Sequence, residues 1–314
     1  MAKVFIDGQE GTTGLNIARR LAGRKDIHLI PIEETLRKDA RERRQKMQEA
    51  DVAILCLPDE AAREAVHLAE GLSVRILDAS TAHRTQNGWA YGFPELSKEH
   101  REAVQKGSRV SVPGCHASGF AALVYPLVKA GVLPGDYPIV CHSVTGYSGG
   151  GKKMIAEYES QERSPGLDSP RQYALSQAHK HLPEMQKVCG LTDAPIFDPI
   201  VADFYGGMAV SVPLHARLLK GTPSRKELHA VYSAHYQGEK LVRVLPLDAG
   251  AEMGGFLAAN TLAGNDGIEI LICGNDERLL LMARFDNLGK GASGAAVQCL
   301  NLMTGAGEYL GLNC

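Results

Sequence analysis

The chain has 314 residues, 44% of them hydrophobic and 22% charged, which is typical of a globular protein with room for two domain cores. A formal net charge of -2 predicts no general attraction to nucleic acid or to anionic membranes. No apolar run approaches the ~20 residues of a membrane span, and the chain enters a strand directly after Met1, so neither a membrane anchor nor a signal peptide is expected.

The first part of the chain alternates short apolar runs with stretches of helical periodicity. Strands are predicted at 3–6, 28–31, 52–57 and 74–78, helices over 15–22 and 60–70, and an exposed helix or loop over the charged residues 37–49. This alternation predicts an α/β domain of the Rossmann type, with a parallel sheet covered by helices on both faces.

The second part has a different rhythm, with more strands and fewer helices. Strands are predicted at 139–145, 209–214, 241–245, 268–272 and 279–285, and a flexible glycine-rich loop at 146–152. Consecutive strands with few helices predict an α+β domain with a largely antiparallel sheet. Small and apolar residues at helical spacing over 291–303 predict a buried helix, which could pack back on the first domain.

Glycines follow the first predicted strand and open the first predicted helix, in the run Gly8-Gln-Glu-Gly11-Thr12-Thr13-Gly14. Glycines at this corner let the backbone turn tightly and approach a pyrophosphate, while the helix amino terminus supplies N–H donors. Any tight turn between strand and helix can use glycine, but the amino-terminal position in an α/β pattern favours dinucleotide binding.

The residues after the second strand do not decide whether the cofactor's ribose carries a 2′-hydroxyl or a 2′-phosphate. Glu33 and Glu34 could hold an unphosphorylated ribose. Arg37, Lys38 and Arg41 could instead bind a 2′-phosphate, and each of these side chains could equally be part of a solvated surface. The residues alone therefore allow either NAD or NADP.

Cys115 stands in Val112-Pro-Gly-Cys-His116, where a short β-branched run gives way to a predicted helix. A thiolate is favoured near the amino terminus of a helix and is a strong nucleophile, although many cysteines only pack as small hydrophobes. A cysteine nucleophile needs an acid/base partner, and His215 follows a predicted strand in Val-Pro-Leu-His. Ten other histidines are candidates for the same role, including His116 and those at 142, 179 and 181.

The seven cysteines form no CxxC pair, which predicts reduced cytosolic thiols and no metal site.

Polar residues also follow the fourth predicted strand, where open α/β sheets place ligands. Arg84 could hold a phosphate with help from the hydroxyl of Ser80 or Thr81, or it could be an ordinary loop arginine. Glu95, in Gly92-Phe-Pro-Glu, could order a site or simply be exposed.

Together these segments resemble the phosphorylating semialdehyde dehydrogenases, and among them the shorter branch of the N-acetyl-γ-glutamyl-phosphate reductase family. The matching segments run the length of the chain. They are residues 8–14, 78–84, 91–96, 112–118, 143–152, 179–184 and 286–292. The most specific are the run around Cys115 and Asp286-Asn-Leu-Gly-Lys-Gly-Ala292.

The resemblance implies an NADP-binding domain over 1–115, completed by the carboxy-terminal helix 291–314, and a catalytic and oligomerisation domain over 116–290. It implies NADPH as cofactor, a homo-oligomer (dimer or tetramer), a cytoplasmic location, Cys115 as nucleophile and an acid/base histidine near Pro213. This chain reads Pro213-Leu-His215, one residue offset from the Pro-His-Leu of the longer branch. Further residues are assigned by the same resemblance. Cofactor contacts are expected at Gly8, Gly11, Thr12, Thr13, Gly14, Arg37, Lys38 and Gly291, and substrate contacts at Ser80, Arg84, Glu95, Ser148, Gly149, His179 and His181.

The implied activity is reduction of N-acetylglutamyl 5-phosphate to the 5-semialdehyde with release of phosphate, through a thioester on Cys115, in arginine biosynthesis. Arg84 and the segment 148–152 would bind the leaving phosphate, and residues 179–181 the α-carboxylate. Three alternatives stay open on the residues. They are reduction of another acyl phosphate (aspartyl or carrier-linked aminoadipyl), a nucleotide sensor without turnover, and a cysteine hydrolase, which would leave the glycine turn without a task.

Overall fold

The computed structural model describes residues 1–314, which divide into two compact units. The first unit comprises Met1–Pro113 and Ala292–Leu312, and the second comprises Gly114–Gly291 and Asn313–Cys314. None of the helices combines the length and the apolar character that crossing a membrane requires.

The strands and helices are numbered here in chain order. The strands are β1 Ala2–Asp7, β2 Ile27–Ile30, β3 Val52–Leu55, β4 Arg75–Asp78, β5 Ala90–Tyr91, β6 Arg109–Ser111, β7 Val140–Gly146, β8 Arg171–Gln172, β9 Ile196–Ala202, β10 Met208–His215, β11 Val242–Val244, β12 Ile268–Gly274 and β13 Arg278–Phe285. The helices are α1 Thr12–Leu21, α2 Ala40–Glu49, α3 Asp59–Leu68, α4 Lys98–Lys106, α5 Cys115–Lys129, α6 Gly151–Glu159, α7 Leu182–Cys189, α8 Arg225–His235, α9 Ala249–Glu252 and α10 Gly294–Thr304.

The first unit is built on a six-stranded sheet in the order β2-β1-β3-β4-β6-β5, and all its pairings are parallel. Its central strand β3 is apolar and buried throughout, which is typical of a strand covered on both faces of a parallel sheet. The carboxy-terminal helix α10 is part of this unit, because its Ala295, Val297 and Leu300 lie in the same apolar cluster as Val4 and Ile54. The predicted Rossmann-type sheet is confirmed.

The second unit is built on a seven-stranded sheet in the order β11-β12-β13-β10-β7-β9-β8. Four of its pairings are antiparallel, and β11 with β12 and β7 with β9 are parallel. The predicted α+β arrangement with a largely antiparallel sheet is confirmed. Helix α5 packs on this sheet through Gly119, where an added Cβ would lie 2.5 Å from Val210 Cγ2.

The segment 146–152 differs from the flexible loop that its glycines predict. Residues Tyr147–Gly150 form a 3-10 turn, and α6 begins at Gly151. The N–H groups of Tyr147 and Ser148 donate to the carbonyls of Phe204 and Tyr205, and Ser148 is buried. Main-chain bonds to the neighbouring loop therefore order this segment in spite of its glycine content.

Candidate active site

The glycine turn of the first unit leaves an open approach to the amino terminus of α1. Gly8 has φ +86 and Gly14 would place a Cβ 2.5 Å from the Gly8 carbonyl oxygen, so neither position accepts a side chain. At Gly11, which caps α1, the nearest atom to an added Cβ is 3.6 Å away. Thr12 and Thr13 form the first turn of α1. This is the geometry that lets backbone N–H groups meet a dinucleotide pyrophosphate, so the turn fits a nicotinamide cofactor.

Charged residues of both signs lie beside this turn. Arg37 pairs with Glu10 at 3.4 Å and with Glu34 at 3.7 Å, so the residues expected to contact the ribose compete with one another. Lys38 and Glu33 are exposed. A 2′-phosphate would need Arg37 to exchange its carboxylate partners for the phosphate.

The loop after β4 is ordered by Asp78, which is buried. Its carboxylate accepts bonds from the backbone N–H of Ser80 at 2.9 Å and from the Ser80 hydroxyl at 2.7 Å, and contacts His83 Nδ1 at 2.6 Å. Arg84 donates through Nε to the Val112 carbonyl at 2.9 Å. Ser80 therefore shapes the loop, and the guanidinium of Arg84 is held in a fixed direction.

Glu95 is only 2% exposed and accepts a 2.8 Å bond from Gln298 of α10. Gln298 also donates to Glu308 at 2.8 Å. The structure thus places Glu95 in the packing of the carboxy-terminal helix, within the first unit.

Cys115 is the first residue of α5 and is half-buried. The N–H groups of the first helical turn have no acceptor inside the helix, and together with the helix dipole they favour negative charge on a thiol at this position. The preceding residue, Gly114, donates its N–H to the buried carboxylate of Glu184 at 2.8 Å. Glu184 thereby fixes the corner from which the thiol projects.

The loop after β13 closes against this corner. The Gly291 N–H donates to the Asp286 carbonyl at 3.1 Å, and an added Cβ on Gly291 would lie 2.8 Å from Cys115 Cβ. Gly291, a predicted cofactor contact, therefore lies beside the thiol-bearing residue. Asn287 donates through Nδ2 to Ser148 Oγ at 3.0 Å, and its Oδ1 accepts the Gly207 N–H at 2.8 Å.

The side chain that follows the thiol, His116, is the centre of a buried polar cluster. Its Nδ1 lies 2.8 Å from Ser143 Oγ and its Nε2 lies 2.6 Å from the Tyr173 hydroxyl. Burial, with a smaller contribution from His179, lowers the pKa of His116 to about 3, so the ring is neutral. Burial and the negative charge of a Cys115 thiolate raise the pKa of Tyr173 well above its usual range.

His179 and His181 join the same cluster. The His179 ring centroid lies 5.9 Å from that of His116 and 4.7 Å from that of His181, and the His181 ring centroid lies 5.4 Å from that of His116. The backbone N–H of His181 donates to His179 Nδ1 at 3.2 Å, so a neutral His179 carries its proton on Nε2. His179 is half-buried and can present that N–H to an anion.

His215 is not brought to Cys115. Val210 of β10 contacts Gly119 of α5, and His215 lies five residues further along the strand, roughly 17 Å away at ~3.3 Å per residue. The odd spacing also turns its side chain to the opposite face of the sheet from Val210, where it is exposed. The sequence-based acid/base assignment of His215 therefore has no support in the geometry.

Several residues of the site were not singled out by the sequence analysis. Tyr173 and Ser143 lie far along the chain from Cys115, and only the chain topology brings their hydroxyl groups to the two nitrogens of His116. Glu184 belongs to the segment 179–184, but nothing in that segment predicts a bond to Gly114.

A glycine turn before α1 in one unit, and a thiol at the head of α5 over the mixed sheet of the other, define a semialdehyde dehydrogenase. Family models agree. The semialdehyde dehydrogenase NAD binding domain matches residues 16–104, and the semialdehyde dehydrogenase dimerisation domain matches residues 115–287. N-acetyl-gamma-glutamyl-phosphate reductase 2 of Nostoc sp. strain PCC 7120 is 49% identical over 318 residues, covering 99% of both chains. The enzyme of the same name from Pseudomonas putida KT2440 is 48% identical and covers 96% of this chain and 97% of that one. The chain therefore belongs to the N-acetyl-gamma-glutamyl-phosphate reductase family.

Solved structures agree on the fold. Aspartate semialdehyde dehydrogenase from Francisella tularensis has a TM-score of 0.73 at 15% identity and covers 96% of this chain and 99% of that one. Aspartate semialdehyde dehydrogenase II from Vibrio cholerae has a TM-score of 0.72 at 15% identity, covering 96% of this chain and 98% of that one.

Proposed function

We propose that this chain reduces N-acetylglutamyl 5-phosphate to N-acetylglutamate 5-semialdehyde with release of phosphate, in arginine biosynthesis and with NADPH as the cofactor. The observation that carries the proposal is Cys115 at the first position of α5, in a chain 49% identical to a reductase of this name over almost its whole length. An acyl phosphate has a good leaving group, and a thiolate is a strong nucleophile for its carbonyl carbon.

The first step forms a thioester. The Cys115 sulfur bonds to the acyl carbon, the carbon–oxygen bond to phosphate breaks, and the thiol proton leaves with the phosphate as hydrogen phosphate. N–H groups of the first turn of α5, which begins at Cys115, would be the donors that stabilise the charge developing on the carbonyl oxygen.

The second step is reduction of the thioester. The Gly8–Gly14 turn and the first turn of α1 would hold the dinucleotide of a reduced nicotinamide cofactor, which would supply the hydride when bound. The carbonyl oxygen then carries negative charge as a thiohemiacetal alkoxide. This alkoxide re-forms the carbonyl and expels the Cys115 thiolate, which takes up one proton from solvent. The balance needs one proton and one hydride for each acyl phosphate reduced.

Substrate anions are bound by neutral donors and by arginine in this proposal. The Nε2–H of His179 suits the substrate's α-carboxylate, with His181 and Lys180 beside it. Ser148 and Gly149 contribute donors for the phosphate from the turn that Asn287 holds. Arg84 retains a fixed guanidinium for an anionic group, since its Nε is anchored on the Val112 carbonyl.

NADPH is preferred in this proposal through Arg37, with Lys38 and Arg41 adding positive charge on the same segment. Comparing kcat/KM for NADPH and NADH tests this preference, and Arg37→Ala should lower the ratio between them. Equal use of NADH by the unaltered enzyme would mean that Glu33 or Glu34 holds the ribose.

A homo-oligomer is part of the same proposal, supported by the match of residues 115–287 to a dimerisation domain. Light scattering of the purified chain measures its state. A monomer across the micromolar range would contradict it.

The reaction itself is tested in reverse. N-acetylglutamate 5-semialdehyde and NADP+ should yield NADPH only when inorganic phosphate is present, because the thioester must be released to phosphate. Aspartate semialdehyde serves as the competing substrate. NADPH formation without phosphate, or a higher kcat/KM for aspartate semialdehyde, would overturn the proposal.

A further inference from the structure

The two nitrogens of His116 each contact a hydroxyl group, and the ring is only 2% exposed. A neutral imidazole has one N–H and one lone pair, so one hydroxyl must accept a hydrogen bond from the ring and the other must donate one to it. Ser143 at Nδ1 and Tyr173 at Nε2 therefore cannot be oriented independently. The three side chains form one hydrogen-bond relay with two possible directions.

Only one direction leaves the Tyr173 proton available for chemistry. When Ser143 donates to Nδ1, the Nε2–H donates to the Tyr173 oxygen, and the phenolic O–H is turned away from the ring. Accepting a hydrogen bond from the imidazole also strengthens a phenol as a donor, because hydrogen bonds in a chain polarise one another. In the opposite direction the Tyr173 proton is used by the ring.

The backbone holds Tyr173 firmly in place. The Tyr173 N–H donates to the Pro199 carbonyl at 3.1 Å. The Gln177 side-chain amide makes two hydrogen bonds to the backbone of Phe197. Its Nε2 donates to the carbonyl at 2.7 Å, and its Oε1 accepts from the N–H at 2.9 Å. Ala174 and Gln177 have φ values of 53 and 56, a left-handed conformation that persists in residues other than glycine only where the surroundings enforce it. Such enforced backbone is common at reaction sites.

We propose that Tyr173, oriented by His116 and Ser143, donates the hydrogen bond that stabilises the alkoxide oxygen formed on the Cys115 adduct. The inference rests on the proposed function, and it deepens that function by naming the donor. Because the alkoxide collapses by expelling the thiolate, it needs a donor that keeps its proton rather than an acid that gives it up. A tyrosine hydroxyl in this environment keeps its proton, since burial raises its pKa.

The relay explains why neither neighbouring imidazole takes this role. His116 is buried and both of its ring nitrogens contact hydroxyl groups, so it acts through Tyr173 as a positioning residue. His179 uses Nδ1 to accept the His181 N–H, and its Nε2–H is assigned to the substrate carboxylate. His181 is placed beside that carboxylate by the same proposal, so the Tyr173 hydroxyl is the donor assigned to the alkoxide oxygen.

The test is Tyr173→Phe, which removes one hydroxyl and keeps the ring. We expect kcat to fall by about 10²–10³, the usual effect of losing one oxyanion donor, with KM for the semialdehyde nearly unchanged. Alkylation of Cys115 by iodoacetamide should change far less than kcat, because the donor serves the oxygen rather than the sulfur. Tyr236→Phe is the matched control. It removes a buried hydroxyl that donates at 2.8 Å to the carbonyl of Ala122 in α5, the helix that begins at Cys115. The control should keep its kcat.

The relay itself is tested by Ser143→Ala alone and in combination with Tyr173→Phe. If Ser143 acts only through His116 and Tyr173, the double variant should lose no more activity than Tyr173→Phe alone. Additive losses, or a Tyr173→Phe enzyme with unaltered kcat, would overturn the inference. NADPH binding and the melting temperature verify that each variant folds. Inactivity of the unaltered enzyme towards every semialdehyde would count against the proposed function, whereas an active enzyme indifferent to Tyr173 counts only against this inference.

Discussion

The two units build their sites in opposite ways. The glycine turn of the first unit consists of consecutive residues, Gly8–Gly14, and offers backbone groups at the start of α1. The site of the second unit gathers side chains from the start of α5, from β7, from the loop after β8 and from the loop after β13. The first site therefore needs only one local turn, whereas the second forms only when α5, β7 and the loops after β8 and β13 come together. Substitutions should reveal this difference.

The largest effect is expected in the second unit, at Cys115. Cys115→Ser should lower kcat by about a thousandfold or more, because a hydroxyl forms far less nucleophilic anion than a thiol near neutral pH. NADPH binding, measured by fluorescence titration, should stay close to that of the unaltered protein, since the Gly8–Gly14 turn is a separate element. A serine variant that retains most of its activity would contradict the covalent route.

His215→Asn is the matched control for this experiment. The side chain is exposed at the far end of β10, so its removal should leave kcat within a few-fold of the unaltered value. A loss of ~10²–10⁴, the usual effect of removing a general acid–base group, would restore the assignment that the sequence favours.

The next largest effect is expected at Gly291. An alanine there would place its Cβ 2.8 Å from Cys115 Cβ, closer than two carbon atoms can lie, so the thiol must shift. A displacement of about 1 Å at a reacting group can lower the rate about 10²-fold. Gly291→Ala should therefore lower kcat by about that factor while the melting temperature changes little. Gly250→Ala is the control in the same unit, since its nearest atom is 3.6 Å away, and it should leave kcat unchanged.

Two substitutions in the glycine turn of the first unit should have different effects, one on stability and the other on cofactor binding. In Gly8→Ala the alanine would have to adopt a φ of +86, and its Cβ would clash with the Cys56 carbonyl. We therefore expect the substitution to destabilise the first unit by roughly 1–3 kcal/mol. Gly11→Ala has 3.6 Å of space and should leave stability unchanged, yet its methyl group would occupy the approach to the helix amino terminus. The Kd for NADPH should rise in Gly11→Ala. Unaltered binding by that variant would mean that the pyrophosphate does not lie at Gly11.

The same contrast explains how much could be predicted from the sequence. The positions of the glycine turn and of Cys115 at helix starts were predictable because strand, turn and helix signals are adjacent in the chain. His215 was not, because its distance and its facing direction depend on the pairing of β10 with its neighbours, which a local pattern does not encode. Glu95 was open between two interpretations until its partner Gln298, some 200 residues away in α10, was placed beside it.

The smallest effect expected is a pH dependence of stability carried by His116. Burial lowers its pKa from 6.5 to about 3, so between these values the unfolded chain binds a proton that the folded chain does not. The free energy of unfolding should therefore fall as the pH drops below about 6.5, by about 1.4 kcal/mol per pH unit for one proton, or about 2 kcal/mol by pH 5. The loss ends near pH 3, where the folded chain binds the same proton.

Urea unfolding at pH 7 and pH 5, followed by circular dichroism, measures the difference in the free energy of unfolding for the unaltered protein and for His116→Gln. Glutamine keeps an amide between Ser143 and Tyr173 but does not titrate, so the variant should lack this share of the pH dependence. Parallel losses in both proteins would show that His116 is not the residue that couples folding to protons.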